Sequence, residues 1–167
     1  MEIKNIVKLF CISILFVMSC SLYLEEKKYV EEKKEIDSIL AEISNPKILN
    51  NKTGHEKFKD YKDRINELKE RLKDINDAEL KEKLLKLQSL FEDKLAAKLA
   101  ALKAAKLKIE GIADKDSGKN TIWSEAKLVG VTVKFLGNNT SGKGQEMSKD
   151  AVEQIDKIIK FLEGDTN

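Results

Sequence analysis

The sequence contains few of the residues that build metal, redox and nucleophilic sites. It has two cysteines, Cys11 and Cys20, and one histidine, His55. Cys11 lies in an apolar stretch near the start of the chain, so the chain from Cys20 onward has no second thiol for a disulfide. A single imidazole beside Glu56 is more typical of a surface residue than of a metal ligand. We therefore predict no disulfide, metal site or cofactor.

Motifs for catalysis and for nucleic-acid binding are also missing. The Ser141-Gly-Lys-Gly run precedes a predicted helix and follows no strand, so it indicates a loop and not a phosphate-binding turn. Most carboxylates alternate with basic residues at helical spacing, as Glu67 does with Arg71, which is typical of a solvated helix face. The formal net charge of +2 gives no general argument for nucleic acid. We expect neither an enzyme nor a nucleic-acid partner.

Proline and glycine, which interrupt helices, are scarce. The chain of 167 residues has one proline, Pro46, and eight glycines, whereas 36% of its residues are charged. This balance favours long exposed helices over sheet. The predicted fold class is all-α.

The amino terminus has the pattern of an export signal. Lys4 and Lys8 form a positive region, and residues 9–18 form an apolar run that is too short to span a bilayer, which takes ~20 residues. The following Val17-Met18-Ser19-Cys20 is similar to a lipobox, in which the cysteine is acylated and the signal is removed before it. Ser21 follows where many bacteria use Asp to retain a lipoprotein at the inner membrane. The prediction is a signal peptide over residues 1–19, a lipid anchor at Cys20, and outer-membrane localisation with the membrane as a partner.

The mature chain is predicted to divide into two parts. Residues 20–54 hold the lipidated cysteine, a charged tether or first helix, and a loop that begins at Asn45-Pro46, where proline stops the helix. Residues 55–164 are predicted to form an antiparallel bundle, with about four to five helices in the whole fold.

Two apolar stripes predict the long middle helices. They join near residue 77, where Asn76 is a candidate helix cap, and the chain there either folds back as a hairpin or kinks near Asp77. The first stripe comprises Phe58, Tyr61, Ile65, Leu68, Leu72 and Ile75, and the second comprises Leu80, Leu84, Leu87, Phe91, Leu95, Leu99, Leu102 and Ile109.

The carboxy-terminal third is less regular. Residues 111–120 are loop-like in composition, and residues 122–136 fit either a helix or a strand. We favour a helix ending at Gly137 and Asn138, because one strand would have no partner in this chain. After a loop over residues 139–145, a last helix is predicted to start with Ser148 as its cap and to end at Gly164.

Two features are candidate ligand-binding residues. Lys94, Lys98 and Lys108 fall on one side of the second long helix as a basic flank. Such a flank suits an acidic protein surface or a glycosaminoglycan, but we favour the alternative that the lysine stems cover the edge of the core. Trp123 stands where a loop meets a helix. Its ring is either exposed as a contact or tucked against the bundle end, and we favour the tucked position.

The architecture resembles the outer-surface lipoproteins of Borrelia-type spirochaetes. The lipobox, the charged tether and the Lys/Glu-rich helical domain carry this resemblance, and residues 124–136, SEAKLVGVTVKFL, are similar to a helix of the decorin-binding lipoproteins. The resemblance implies a cell-surface protein that binds host matrix, glycosaminoglycans or complement regulators without catalysis. The basic cluster of the decorin binders has no clear counterpart, so neither their ligand nor its residues are carried over.

The sequence thus predicts a lipid-anchored surface protein that contacts host molecules. The alternative is a structural or assembly lipoprotein that faces the periplasm from the outer membrane. The heptad-like stripes also allow pairing with a second copy, so a homo-oligomer is a candidate assembly.

Overall fold

The computed structural model describes residues 29–134 and 142–164. These residues form five α-helices and no strand, which confirms the all-α fold class. The helices are α1 (Val30–Ser44), α2 (His55–Leu72), α3 (Ala78–Glu110), α4 (Lys119–Leu128) and α5 (Gly144–Glu163). The predicted signal peptide and Cys20 lie outside the described residues.

The contacts divide the chain into two units at the boundary between Ser38 and Ile39. Of the first unit, only residues 29–38 are described, and from Val30 they form the first turns of α1. The second unit begins with the last turns of α1 and holds the other four helices. All features below belong to the second unit.

Helices α2 and α3 form a hairpin. All six residues of the first predicted stripe are buried, which confirms that stripe as a core face. The rings of Phe58 and Phe91 lie 6.5 Å apart, and the two residues are about equally distant from the turn near residue 75, so α3 folds back along α2. Of the two alternatives at Asp77, the hairpin is therefore the one that forms.

The cap of α3 is Asp77 and not Asn76, so that prediction was wrong by one residue. The Asp77 carboxylate accepts a hydrogen bond of 3.0 Å from the backbone N–H of Leu80. A side chain at the N-cap reaches the donor three residues on, and Asn76 stands one position too early to do so.

The predicted helix over residues 122–136 is only half correct. Helix α4 ends at Leu128, and Gly130, two residues later, takes a φ of 74°. The backbone N–H of Gly130 donates to the carbonyl of Lys127, and that of Val131 donates to the carbonyl of Ala126. This pair of bonds around a left-handed glycine is a Schellman ending. Residues 131–133 then lack regular structure, although Val131 and Val133 are buried. The predicted ending at Gly137 and Asn138 lies outside the described residues.

Helix α5 begins earlier than predicted. It starts at Gly144, whose backbone N–H donates to the Asp116 carboxylate at 2.8 Å, and Ser148 is a buried residue inside the helix and not its cap. The Lys115 backbone lies so close to Gly144 that a Cβ there would come within 2.2 Å of it, which explains a glycine at this contact. The predicted carboxy-terminal end is confirmed, because Gly164 adopts a φ of 90° after Glu163.

Helix α3 is central to the second unit, since α2, α4 and α5 all contact it. The ion pairs between α3 and α5 show that the two helices are antiparallel, since the residue numbers on α5 fall as those on α3 rise. The ion pairs of α3 with its neighbours are Lys103–Glu163 at 2.7 Å, Lys106–Asp156 at 2.8 Å and Lys108–Glu125 at 3.2 Å.

Candidate functional site

Lys98 is buried and does not belong to an exposed basic flank, which corrects the sequence prediction. Its side chain is 1% exposed, and its Nζ donates to the backbone carbonyl of Val129 at 2.8 Å and to that of Asn51. The helical spacing correctly indicated which side of α3 Lys98 occupies. That side is covered by the loop before α2 and by the chain after α4, which sequence spacing alone does not reveal.

Burial also changes the acid–base chemistry of Lys98. Desolvation of its ammonium group lowers the pKa to about 8 from the ordinary 10.5. A neutral amine retains two N–H donors, enough for both carbonyl acceptors. Lys98 is therefore a structural link between two loops and not a residue that meets a ligand.

The remaining lysines of the predicted flank do not form a free basic surface. Lys108 is 62% exposed but pairs with Glu125 of α4, and Lys94 is half-buried on α3. The acid that pairs with Lys108 comes from α4, whereas the prediction considered acids only along α3 itself. The structure therefore does not assemble Lys94, Lys98 and Lys108 into one binding site.

Trp123 is more exposed than predicted. Its side chain is 38% exposed, and the Lys127 ammonium lies 4.5 Å from the ring centroid on the same helix. This is the geometry of a cation–π contact. The ring thus lies at the surface of α4 and is not tucked against the bundle end.

A concave surface lies between α2 and α3, and we call it the α2–α3 groove. It consists of two neighbouring cavities of about 160 and about 200 Å³ that share Lys62, Phe91 and Leu95. The first cavity is walled by phenyl rings from three helices, since Phe58 and Phe161 join Phe91 there. A hydrocarbon-lined cavity of about 150 Å³ is large enough for a benzene ring. The first cavity, hereafter the aromatic pocket, can therefore accept one large apolar side chain.

The lips of the α2–α3 groove differ in charge. The α2 lip carries the exposed side chains of Lys62 and Lys69, and within the described residues neither makes an ion pair. Lys59 on the same lip is bound to Asp63 at 2.7 Å, and this hydrogen bond raises the pKa of Lys59. The α2 lip is therefore the cationic edge of the groove.

The α3 lip of the groove carries one acidic side chain. It carries Gln88 and Glu92, and the Gln88 amide donates to the Glu92 carboxylate at 2.8 Å. The neutral amide leaves the negative charge of Glu92 in place, so the α3 lip is the anionic edge of the groove.

The α2–α3 groove was not predicted from the sequence. One signal was available: Lys62 and Lys69 are seven residues apart and flank the stripe residues Phe58 and Ile65, which are also seven apart. The contribution of Phe161 had no such signal, because it depends on where α5 packs.

His55 is a packing residue at the end of the groove that α5 closes. Its ring meets Phe161 edge-on, with centroids 4.7 Å apart, and its Nε2 lies 3.1 Å from the Glu56 carboxylate. Across the described part of the chain, no cluster of three or more histidine, cysteine or acidic side chains could hold a metal ion. No helix among those residues is long and apolar enough to cross a membrane.

Comparison with known proteins places this fold in a family. Residues 1–164 match the family model described as Borrelia burgdorferi REV protein. A crystal structure of a Rev protein from Borrelia burgdorferi is similar to this chain, with 69% sequence identity and a TM-score of 0.75 over 81% of this chain and 97% of that one. No curated protein matches the chain. These matches agree with the Borrelia-type resemblance and do not extend to the decorin binders. The chain therefore belongs to the Borrelia burgdorferi REV protein family.

Proposed function

We propose that this chain is a lipid-anchored bacterial surface lipoprotein that has no enzymatic activity and interacts with host molecules, in adhesion, immune evasion or persistence. The observation that carries the proposal is the Val17-Met18-Ser19-Cys20 motif after a positive and an apolar segment. Membership of a Borrelia family supports it, because it agrees with the Borrelia-type resemblance from which the surface role was inferred. The α2–α3 groove supplies a surface for the interaction.

Anchoring through Cys20 follows from the energetics of acyl chains. Each buried methylene contributes ~0.8 kcal/mol, so one chain binds a membrane only marginally and several bind stably. A lipobox cysteine that carries a diacylglyceryl group and an acylated amine would therefore hold the chain permanently. The finer resemblance to decorin-binding lipoproteins adds no ligand, because the similar segment, residues 124–136, continues beyond the end of α4.

The anchor is tested by replacing each cysteine in turn. Cys20→Ala should abolish incorporation of radiolabelled palmitate, because no other thiol remains at the cleavage site. Cys11→Ala is the matched control and should be labelled like the wild type. An uncleaved signal can hold the Cys20→Ala chain in the membrane, so cleavage is followed by electrophoretic mobility. Undiminished labelling of Cys20→Ala would rule out the anchor.

Exposure at the cell surface is tested separately by adding protease to intact cells. We expect the wild-type chain to be degraded without permeabilisation. Degradation only after permeabilisation would favour the alternative, a structural or assembly lipoprotein that faces the periplasm. A known periplasmic protein, measured in the same samples, reports whether the cells stayed intact.

A further inference from the structure

The α2–α3 groove combines an apolar floor with free cations on one lip. The aromatic pocket holds about 160 Å³, and the floor continues along Ile65 and Leu95 in the adjoining cavity. Lys62 and Lys69 stand above this floor without ion-pair partners among the described residues. A surface of this kind attracts groups that are apolar on one side and anionic on the other.

We propose that the α2–α3 groove binds an acidic amphipathic helix of a host protein. The partner helix lies along the groove, inserts one aromatic or leucine side chain into the aromatic pocket, and places carboxylates against Lys62 and Lys69. The inference rests on the proposed function, because it names the chemistry of the host partner.

The spacing along α2 matches a helical partner. Lys62 and Lys69 are seven residues apart, which is two turns or roughly 10 Å along a helix axis. Carboxylates seven residues apart on a partner helix have the same separation and fall on one side of it. Phe58 and Ile65 repeat this seven-residue spacing in the floor. The groove therefore presents apolar and cationic contacts at the same helical repeat.

The two acids beside the groove, Asp63 and Glu92, reduce this attraction but do not cancel it, because the lining holds three lysines, Lys59, Lys62 and Lys69. Asp63 is held by Lys59 at 2.7 Å, and Glu92, on the opposite lip, accepts from Gln88. A partner helix can direct its neutral or basic side toward Glu92 and its acidic side toward α2. Charge thus favours one rotation of the bound helix about its axis.

The test uses two synthetic helical peptides that differ only in charge. Both carry the same leucines and phenylalanine on one face; one has glutamates seven residues apart at the flanking positions, and the other has lysines there. Binding is measured by fluorescence anisotropy on the full-length chain in neutral-lipid nanodiscs. We expect the glutamate peptide to bind at least about tenfold more tightly than the lysine peptide, and less tightly as salt rises.

Charge-reversal variants locate the site. Lys62→Glu combined with Lys69→Glu should weaken binding of the glutamate peptide by about tenfold or more. Lys57→Glu with Lys81→Glu makes the same change in net charge at exposed lysines outside the groove and should alter binding less than about twofold. All four lysines are exposed, so circular dichroism should show every variant folded.

Three results would overturn the proposal: no binding of the glutamate peptide, equal binding of both peptides, or equal losses in the two double variants. Any of these leaves acylation of Cys20 and protease sensitivity on intact cells unaffected. Conversely, loss of the anchor or of surface exposure would refute the proposed function without changing peptide binding. The two ideas are therefore distinguishable.

Discussion

At the scale of single residues, Lys98 is the most unusual side chain of the second unit. It places an amine between two backbone carbonyls from distant loops, inside the core, without a carboxylate partner in its hydrogen bonds. Burying a charge costs free energy, and burying carbonyls without donors also costs free energy. Lys98 reduces both costs, because its pKa is lowered to about 8 and its amine donates to both carbonyls.

Replacing Lys98 with methionine should destabilise the fold. The methionine fills similar space but leaves the carbonyls of Asn51 and Val129 without this donor, at ~1–3 kcal/mol for each group, while it removes the desolvation penalty of the ammonium. We expect the free energy of unfolding to fall by about 2 kcal/mol at pH 7, measured by urea denaturation. Lys94→Met, one turn earlier and half-buried, is the control and should have little effect. Equal stability of Lys98→Met and the wild type would contradict the linking role.

The same residue gives stability a pH dependence with a defined sign. Between pH 8 and 10.5, folded Lys98 has lost its proton while the unfolded lysine still holds one. The unfolded state binds more protons, so the free energy of unfolding contributed by Lys98 rises with pH in this window. The wild type should therefore gain stability relative to Lys98→Met from pH 7.5 to about 10. Parallel pH profiles would show that the pKa of Lys98 is not lowered.

Asp77 provides a second test at this scale. Its carboxylate caps α3 by accepting from Leu80, whereas Asn76 is not the cap. Asp77→Ala should lower the free energy of unfolding by about 1 kcal/mol. Asn76→Ala should leave it nearly unchanged, and thermal or urea denaturation of both variants measures the difference. A larger loss from Asn76→Ala would shift the start of α3 back to the position that the sequence predicted.

At the scale of elements, the end of α4 depends on one glycine. Gly130 terminates the helix in a left-handed conformation and lies against the Lys52 backbone, where a Cβ would come within 2.5 Å of the carbonyl oxygen. The glycine thus serves both the helix ending and the close approach of the loop before α2. The carbonyl of the preceding residue, Val129, is one of the two that Lys98 binds.

Gly130→Ala should therefore lower the free energy of unfolding by more than the conformational cost of a positive φ alone. Gly142 also has a positive φ, 69°, but a Cβ added there would meet no atom within 4 Å, so Gly142→Ala isolates the conformational cost, ~1 kcal/mol. We expect Gly130→Ala to lower the free energy of unfolding by at least about 1 kcal/mol more than Gly142→Ala does, because the clash with Lys52 is added to the conformational cost. Urea denaturation of the two variants gives the comparison. Equal losses would mean that the Lys52 loop moves away without cost.

The elements also show which features the sequence could predict. The stripe from Phe58 to Ile75 predicted α2 and its buried face, because that pattern depends only on neighbours three and four residues apart. The helix break at Gly130 was not predicted, because apolar residues at helical spacing continue through it and a single strand would have had no partner in this chain. The available signal was Gly130 itself, because a glycine inside a helical pattern can mark the end of the helix.

At the scale of the whole molecule, the family and the fold class follow from the sequence more readily than the site does. Composition predicted an all-α protein, and the lipobox with the Lys/Glu-rich helices predicted a Borrelia-type protein, in agreement with the REV family match. The predicted basic flank is not assembled on the surface, because Lys98 is buried, Lys94 is half-buried and Lys108 pairs with Glu125 of α4. The groove required Phe161 to line the same pocket as Phe58 and Phe91, which are distant from it in sequence, so local patterns could not predict it.

Chemical modification of Lys98 can also report how often the two loops that bury it separate. An amine with a pKa near 8 is a good nucleophile at mildly alkaline pH, yet acylating reagents in solvent cannot reach it while the two loops are closed. Its modification rate, followed by peptide mass spectrometry, therefore measures how often those loops separate in the intact protein. Exposed lysines such as Lys62 react without any opening and provide the reference rate in the same sample.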